Sequence, residues 1–140
     1  MFDKITIIGC GLIGSSLLRA IAKKKLSKRI NVFDKSKEAT EFIKKNFSVD
    51  VFNDPAESVS GSDLVIISSP LSSYKEILLS IKSTLKKDVI LTDTGSAKKE
   101  IRKIVNNLNL GNVHWISSHP IAGTEFSGPE SGFAELFQDR

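Results

Sequence analysis

Three glycines and one carboxylate carry the first chemical signal in this chain of 140 residues. The run Gly9-Cys10-Gly11-Leu12-Ile13-Gly14 follows the apolar stretch Ile5–Ile8 and precedes a helical pattern, and Asp34 ends a second apolar stretch 20 residues beyond Gly14. At this G-x-G-x-x-G spacing the first glycine makes a tight turn, the second lets backbone approach a pyrophosphate, and the third lets the helix pack close to the strand. The helix start, with Leu12 and Ile13 in its first turn, offers free N–H groups to the phosphates. Asp34 can accept hydrogen bonds from both hydroxyls of an adenosine ribose and repels a 2′-phosphate, so NAD is favoured over NADP. Lys35 and Lys37 follow at once and partly offset that repulsion. Each residue has a plainer role, the glycines as an unliganded turn and Asp34 as a turn residue. In this order, strand before and helix after, they agree on a dinucleotide. Cys10 reads as a small filler of the loop.

In an open α/β sheet, ligands bind beyond the carboxyl ends of the strands, which here carry small polar residues. Ser68-Ser69-Pro70 follows the fourth apolar run, Asp93-Thr94-Gly95-Ser96 the fifth, and Ser117-Ser118-His119-Pro120 the sixth. Ser68, Ser69 and Pro70 fall where a dinucleotide would pass. Ser96 also opens a helical pattern, so it suits an N-cap as well as a ligand contact. His114 falls within a strand, whereas His119 falls just past its end, where a nicotinamide would lie, and is the best candidate base.

These residues must be held by a scaffold, and the apolar pattern supplies one. Ile5–Ile8, Ile30–Phe33, Leu64–Ile67, Val89–Leu91 and Val113–Ile116 read as buried strands, with Val51–Phe52 a fainter sixth. Helical periodicity spans Leu12–Lys25 (Ile13, Leu17, Ala20 and Ile21 on one face), Ser36–Asn46, Ser72–Leu85 and Ser96–Leu108. Asp54-Pro55 opens a short helix, and Pro129–Phe137 reads as another. The alternation predicts an α/β fold, a Rossmann-type doubly wound and mainly parallel six-stranded sheet with helices on both faces.

Composition bounds the partners. With 40% hydrophobic and 26% charged residues the chain can build a core, which excludes a disordered segment. One cysteine forms no internal disulfide and no leader pattern opens the sequence, so a secreted disulfide scaffold is excluded and a reducing cytoplasm expected. No apolar run approaches the roughly 20 residues that span a bilayer, so no membrane partner is expected. The net charge is +4 and Arg19, Lys23, Lys24, Lys25, Lys28 and Arg29 cluster without an acid among them. With only 7% aromatics and none interleaved there, the cluster reads as a solvated helix end and no nucleic-acid partner is expected. Nothing in the pattern calls for a metal.

Three segments together resemble the prephenate dehydrogenases, including the arogenate and cyclohexadienyl dehydrogenases. They are Ile7 to Ser16, Thr92-Asp93-Thr94-Gly95-Ser96-Ala97-Lys98, and, most specific, Ser118-His119-Pro120-Ile121-Ala122-Gly123-Thr124-Glu125 with Ser127-Gly128-Pro129-Glu130. The resemblance implies oxidative decarboxylation of prephenate or arogenate in tyrosine biosynthesis, with hydride passing to NAD. It implies that His119 takes the substrate hydroxyl proton, Ser96 orients His119 and that hydroxyl, and Thr124 and Glu125 line the substrate mouth. It also implies that the 140 residues are the nucleotide-binding half, and that a C-terminal helical domain, which in the family dimerises and adds a substrate-binding arginine, is absent. A β-hydroxyacid dehydrogenase shares the glycine loop but resembles a different sequence after the last strands. A dinucleotide-binding module without catalysis is the rival from another class.

Overall fold

The computed structural model describes residues 1–139. Its strands are β1 (Phe2–Ile8), β2 (Ser27–Phe33), β3 (Asp50–Phe52), β4 (Leu64–Ile67), β5 (Val89–Asp93) and β6 (Val113–Ile116). The helices are α1 (Leu12–Lys23), α2 (Lys37–Asn46), α3 (Pro55–Val59), α4 (Tyr74–Ile81) and α5 (Lys98–Leu108). The sheet runs β3-β2-β1-β4-β5-β6 and every pairing is parallel, the Rossmann order, so the chain reverses direction across the sheet between β1 and β4. The weak apolar signal at Val51–Phe52 is the edge strand β3.

Alternation along the strands feeds two cores. Ile5, Ile7, Val32 and Ile66 pack with Leu18 and Ile21 of α1 and Ile43 of α2. Ile8, Val65, Ile67, Val89 and Leu91 point to the other face and meet Val59 of α3, Tyr74, Ile77, Leu78 and Ile81 of α4, and Ile101 of α5. Full burial of each such side chain is worth about 1.5–3 kcal/mol, which is what holds helices against both faces.

Three local expectations need correction. The buried residues of α1 are Gly14, Ser15, Ser16, Leu18 and Ile21, with Ile13 and Leu17 only half-buried. The reason is contact between helix and loop: a Cβ added at Gly14 would lie 1.9 Å from the Gly9 carbonyl oxygen, so the glycine edge turns inward and the stripe follows it. Ser96 does not cap α5. Ala97 is the N-cap, no side chain caps the helix, and the Ser96 carbonyl instead accepts from Lys98 N–H at 2.9 Å. The stretch expected as a helix over Pro129–Phe137 makes only a 3-10 turn at Pro129–Ser131. There the Phe133 N–H, which a helix would use internally, donates to Ser16 Oγ of α1 at 3.0 Å. Gly132 presses so closely on α1 that a Cβ would come 2.2 Å from Ser15 Oγ.

The final segment therefore crosses from β6 on one side of the sheet to α1 on the other, over the carboxyl ends of the strands. Leu136 is buried there, and Lys23 pairs with Glu135 at 2.5 Å. The basic cluster is partly used up by the fold: besides Lys23, Arg19 stacks over the Phe47 ring at 4.9 Å and Lys28 pairs with Asp3 at 2.6 Å. Among the described residues no helix is long and apolar enough to cross a membrane, and no group of acidic, histidine or cysteine residues is arranged to hold a metal.

Candidate functional site

The strand ends converge on a cleft of about 690 Å³ whose floor is the glycine loop. Gly9 leaves β1 with φ +89°, and a Cβ there would lie 2.7 Å from the backbone of Ser68 and Ser69, so the two strand exits touch only because position 9 is glycine. Ser68 N–H donates to the Ile8 carbonyl at 2.7 Å, and Thr94 N–H to the Ile67 carbonyl at 3.0 Å, which ties the exits of β1, β4 and β5 together.

Gly11 differs from its neighbours. A Cβ there would meet nothing within 4 Å, so the second glycine opens onto empty cleft. It precedes α1 as N-cap with no side-chain capping bond, and no acidic residue occupies the first turn. The first-turn N–H groups of α1 thus face open space, the arrangement that favours an anion. Gly11, Leu12 and Ile13 line the cleft, as do Ser68, Ser69 and Pro70. Ser69 Oγ is buried and has no hydrogen-bond partner, which leaves a donor for a bound molecule.

Asp34 lines the same cleft, half-buried. Its Oδ2 accepts from Cys10 N–H at 2.6 Å and its Oδ1 from Ser36 N–H at 2.8 Å, so the carboxylate is fixed in place by backbone donors on both sides. Cys10 is fully buried beneath it. Burial first, and the Asp34 charge second, push its thiol up to about 12, so it is no nucleophile near neutrality and fits the role of filler.

At the other end of the cleft Thr94, Gly95, Ser96 and Ala97 face His119, Pro120 and Ala122 of the crossing segment. Ser96 and His119 are both exposed and both line the space. Thr124 and Glu125 do not: they are exposed outside the cleft, and Thr124 Oγ1 accepts from Phe126 N–H at 3.2 Å.

The sequence pattern gave no role to Asp93 and Lys98, which hold this end together. Asp93 is fully buried, and its Oδ2 accepts from Lys98 Nζ at 2.5 Å and from Gly95 N–H at 3.0 Å. These bonds close a ring around the loop that carries Ser96. Its only early signal was an acid at the end of a strand with a lysine five residues on. Tyr74, also fully buried, lies beneath: its hydroxyl donates to the Ile67 carbonyl at 3.4 Å. Burial and then the neighbouring Asp93 charge push that phenol well above its ordinary value, so it stays neutral.

Sequence comparison decides the family. The family described as prephenate dehydrogenase, nucleotide-binding domain, matches residues 17–140. The chain belongs to this family. It is 40% identical to a cyclohexadienyl dehydrogenase of Zymomonas mobilis, covering 99% of this chain and 47% of that protein. It is 34% identical to a prephenate dehydrogenase of Lactococcus lactis, covering 97% of this chain and 39% of that one. The chain thus spans less than half the length of these relatives. In fold it is similar to the crystal structure of prephenate dehydrogenase from A. aeolicus in complex with hydroxyphenyl propionate and NAD+, with a TM-score of 0.81 and 24% identity over 99% of this chain and 49% of that one. The family match makes this a nucleotide-binding domain whose relatives are dehydrogenases, and it favours that reading over a β-hydroxyacid dehydrogenase.

Proposed function

We propose that the chain binds NAD along the cleft and is the cofactor-binding half of an enzyme that oxidises and decarboxylates prephenate or arogenate. The observation that carries this reading is one continuous cleft joining the open face of Gly11, the fixed carboxylate of Asp34 and the imidazole of His119. The donor set fits a dinucleotide: N–H groups at a helix start for the pyrophosphate, a carboxylate for the ribose hydroxyls at the exit of β2, and an unpartnered Ser69 hydroxyl at the exit of β4. The glycines, Leu12, Ile13, Ser68, Ser69 and Pro70 would hold it, and bound NAD supplies the hydride acceptor.

This chain's own residues then manage one proton. As hydride leaves the ring carbon bearing the hydroxyl, that carbon becomes a carbonyl carbon, and His119 takes the hydroxyl proton. The bond to the ring carboxylate then breaks, carbon dioxide leaves, and its electron pair flows into the ring, which becomes aromatic as the carbonyl oxygen regains a proton. Ser96 holds the hydroxyl and His119 in register. Thr124 and Glu125, outside the cleft here, would serve at its mouth. Ile116 at the end of β6, and Ile121 and Phe126 in the segment after it, are exposed apolar side chains that a helical, dimerising second domain would cover.

Two measurements test the reading. Calorimetry on the 140-residue chain should show NAD binding, and a chain extended to its relatives' length should form NADH only when prephenate or arogenate is added. NAD binding without substrate-dependent NADH in the extended chain would support the non-catalytic module instead.

A further inference from the structure

We propose that Glu76 sets the choice between NAD and NADP by holding Lys35 away from the ribose end of the cleft. The inference rests on the reading of Asp34 as the ribose ligand.

Lys35 follows Asp34 and lines the same cleft, so its ammonium is the cation best placed to meet a 2′-phosphate and cancel the repulsion from Asp34. In the structure it is already engaged. Lys35 Nζ lies 2.8 Å from Glu76 Oε2, across 41 residues of sequence, with Glu76 in the first turn of α4. With the Lys35 ammonium drawn to Glu76 and neutralised there, a phosphate added beside Asp34 meets that carboxylate's charge uncompensated by Lys35. A ribose with free hydroxyls meets a carboxylate acceptor and no such penalty. Both partners of the pair are largely exposed, 56% and 70%, so the fold does not depend on it and Glu76 can be changed without losing the sheet.

The test is calorimetry of the 140-residue chain with NAD and NADP. Glu76→Gln should leave NAD affinity within about two-fold and tighten NADP by about three- to five-fold, the scale of one exposed ion pair. Lys35→Ala in the same chain should cancel the gain, because the freed ammonium is its source. The gain should also shrink as salt rises from about 0.1 M to 1 M, where the screening length falls from about 10 Å to 3 Å. NADP affinity unchanged in Glu76→Gln, or a gain that survives the added Lys35→Ala, overturns the proposal while leaving Asp34 in its role. A parent chain that binds neither dinucleotide, or an Asp34→Ala chain with an unmoved preference, overturns the reading of Asp34 and this inference with it.

Discussion

The Ser118 hydroxyl donates a hydrogen bond to the main-chain carbonyl of Asp93. Through its carboxylate the same aspartate holds the loop that carries Ser96, by way of Gly95 N–H and Lys98. One buried residue at the end of β5 therefore fixes both the serine and the segment leading to His119, which belong to different elements. Thr92 adds a second tie, its hydroxyl donating to the Ile116 carbonyl at 2.6 Å.

Lys98→Met should leave that carboxylate buried and unpaired, costing about 2–4 kcal/mol of stability, whereas Lys98→Arg should keep most of it. In a chain extended to family length the same Met variant should lose kcat more than it raises KM, because misplacement of a reacting group weakens the transition state above all. Denaturant melts and steady-state kinetics of both variants decide this. A stable Lys98→Met chain with full kcat would show that the ion pair positions nothing.

Gly11 and Gly14 should separate ligand space from packing. Gly14→Ala drives a Cβ into the Gly9 carbonyl and should destabilise the domain by several kcal/mol, roughly as other overpacked core sites do. Gly11→Ala meets no protein atom and should cost under about 1 kcal/mol, the difference between these residues at an N-cap. It should nevertheless weaken NAD binding by tenfold or more, on the order of 1.4 kcal/mol. If Gly11→Ala melts like the parent and binds NAD equally well, the open face of Gly11 is not where the pyrophosphate lies.

Why some of this was legible in the sequence and some was not has a physical basis. Parallel strands buried on both faces are mostly apolar, so Leu64–Ile67 and Ile5–Ile8, broken only by the hydrogen-bonded Thr6, announce themselves, and the alternation with amphipathic helices leaves few ways to order the sheet. The glycine loop is legible because its constraints are local. Asp93 was opaque because its burial depends on Lys98 and Ser118, which only the closed sheet brings to it. The docking of Gly132 on Ser15 and Ser16 is a contact across more than a hundred residues, so a proline-opened stretch that reads as helix locally is pulled straight by a partner its own sequence does not name.

The Cys10 thiol makes a prediction about alkaline stability. Its ordinary value is 9.0 and the folded value about 12, so below pH 9 the thiol is protonated in both states and its contribution to stability is intact. As pH rises from 9 towards 12 the unfolded chain ionises first and folding weakens, by about 2 kcal/mol at pH 10.5 from a shift of 1.36 kcal/mol per unit. Tyr74, raised for the same reason, adds to the loss. Urea titrations at pH 8 and 10.5 should show a smaller drop in Cys10→Ala than in the parent. Equal drops would mean that the thiol ionises without unfolding.

Asp34→Ala should narrow the preference for NAD by removing both the acceptor for the ribose hydroxyls and the charge that repels a 2′-phosphate. Loss of a charged hydrogen bond is worth about 1.5–3 kcal/mol, so NAD affinity should fall roughly tenfold or more while NADP affinity falls less. The loop should also loosen, since Cys10 N–H and Ser36 N–H lose their acceptor. Asp34→Asn keeps an acceptor and separates the two effects: it should hold the loop better and still admit NADP. Calorimetry showing the parent indifferent between the two dinucleotides would remove Asp34 from the ribose.

His119 carries the sharpest expectation. In a chain extended to family length, His119→Asn should lower kcat by about 10²- to 10⁴-fold, the usual contribution of a positioned acid-base group. The loss should fall on kcat because the proton moves in the transition state, and KM should change little. Ser96→Ala should be milder, since it removes orientation and leaves the base. Steady-state kinetics of parent and both variants, taken side by side, distinguish the roles. A His119→Asn enzyme with the parent's kcat would assign the proton to another group, and because these 140 residues span less than half the length of the matched relatives, assayed alone they should bind NAD along the cleft yet turn over almost nothing.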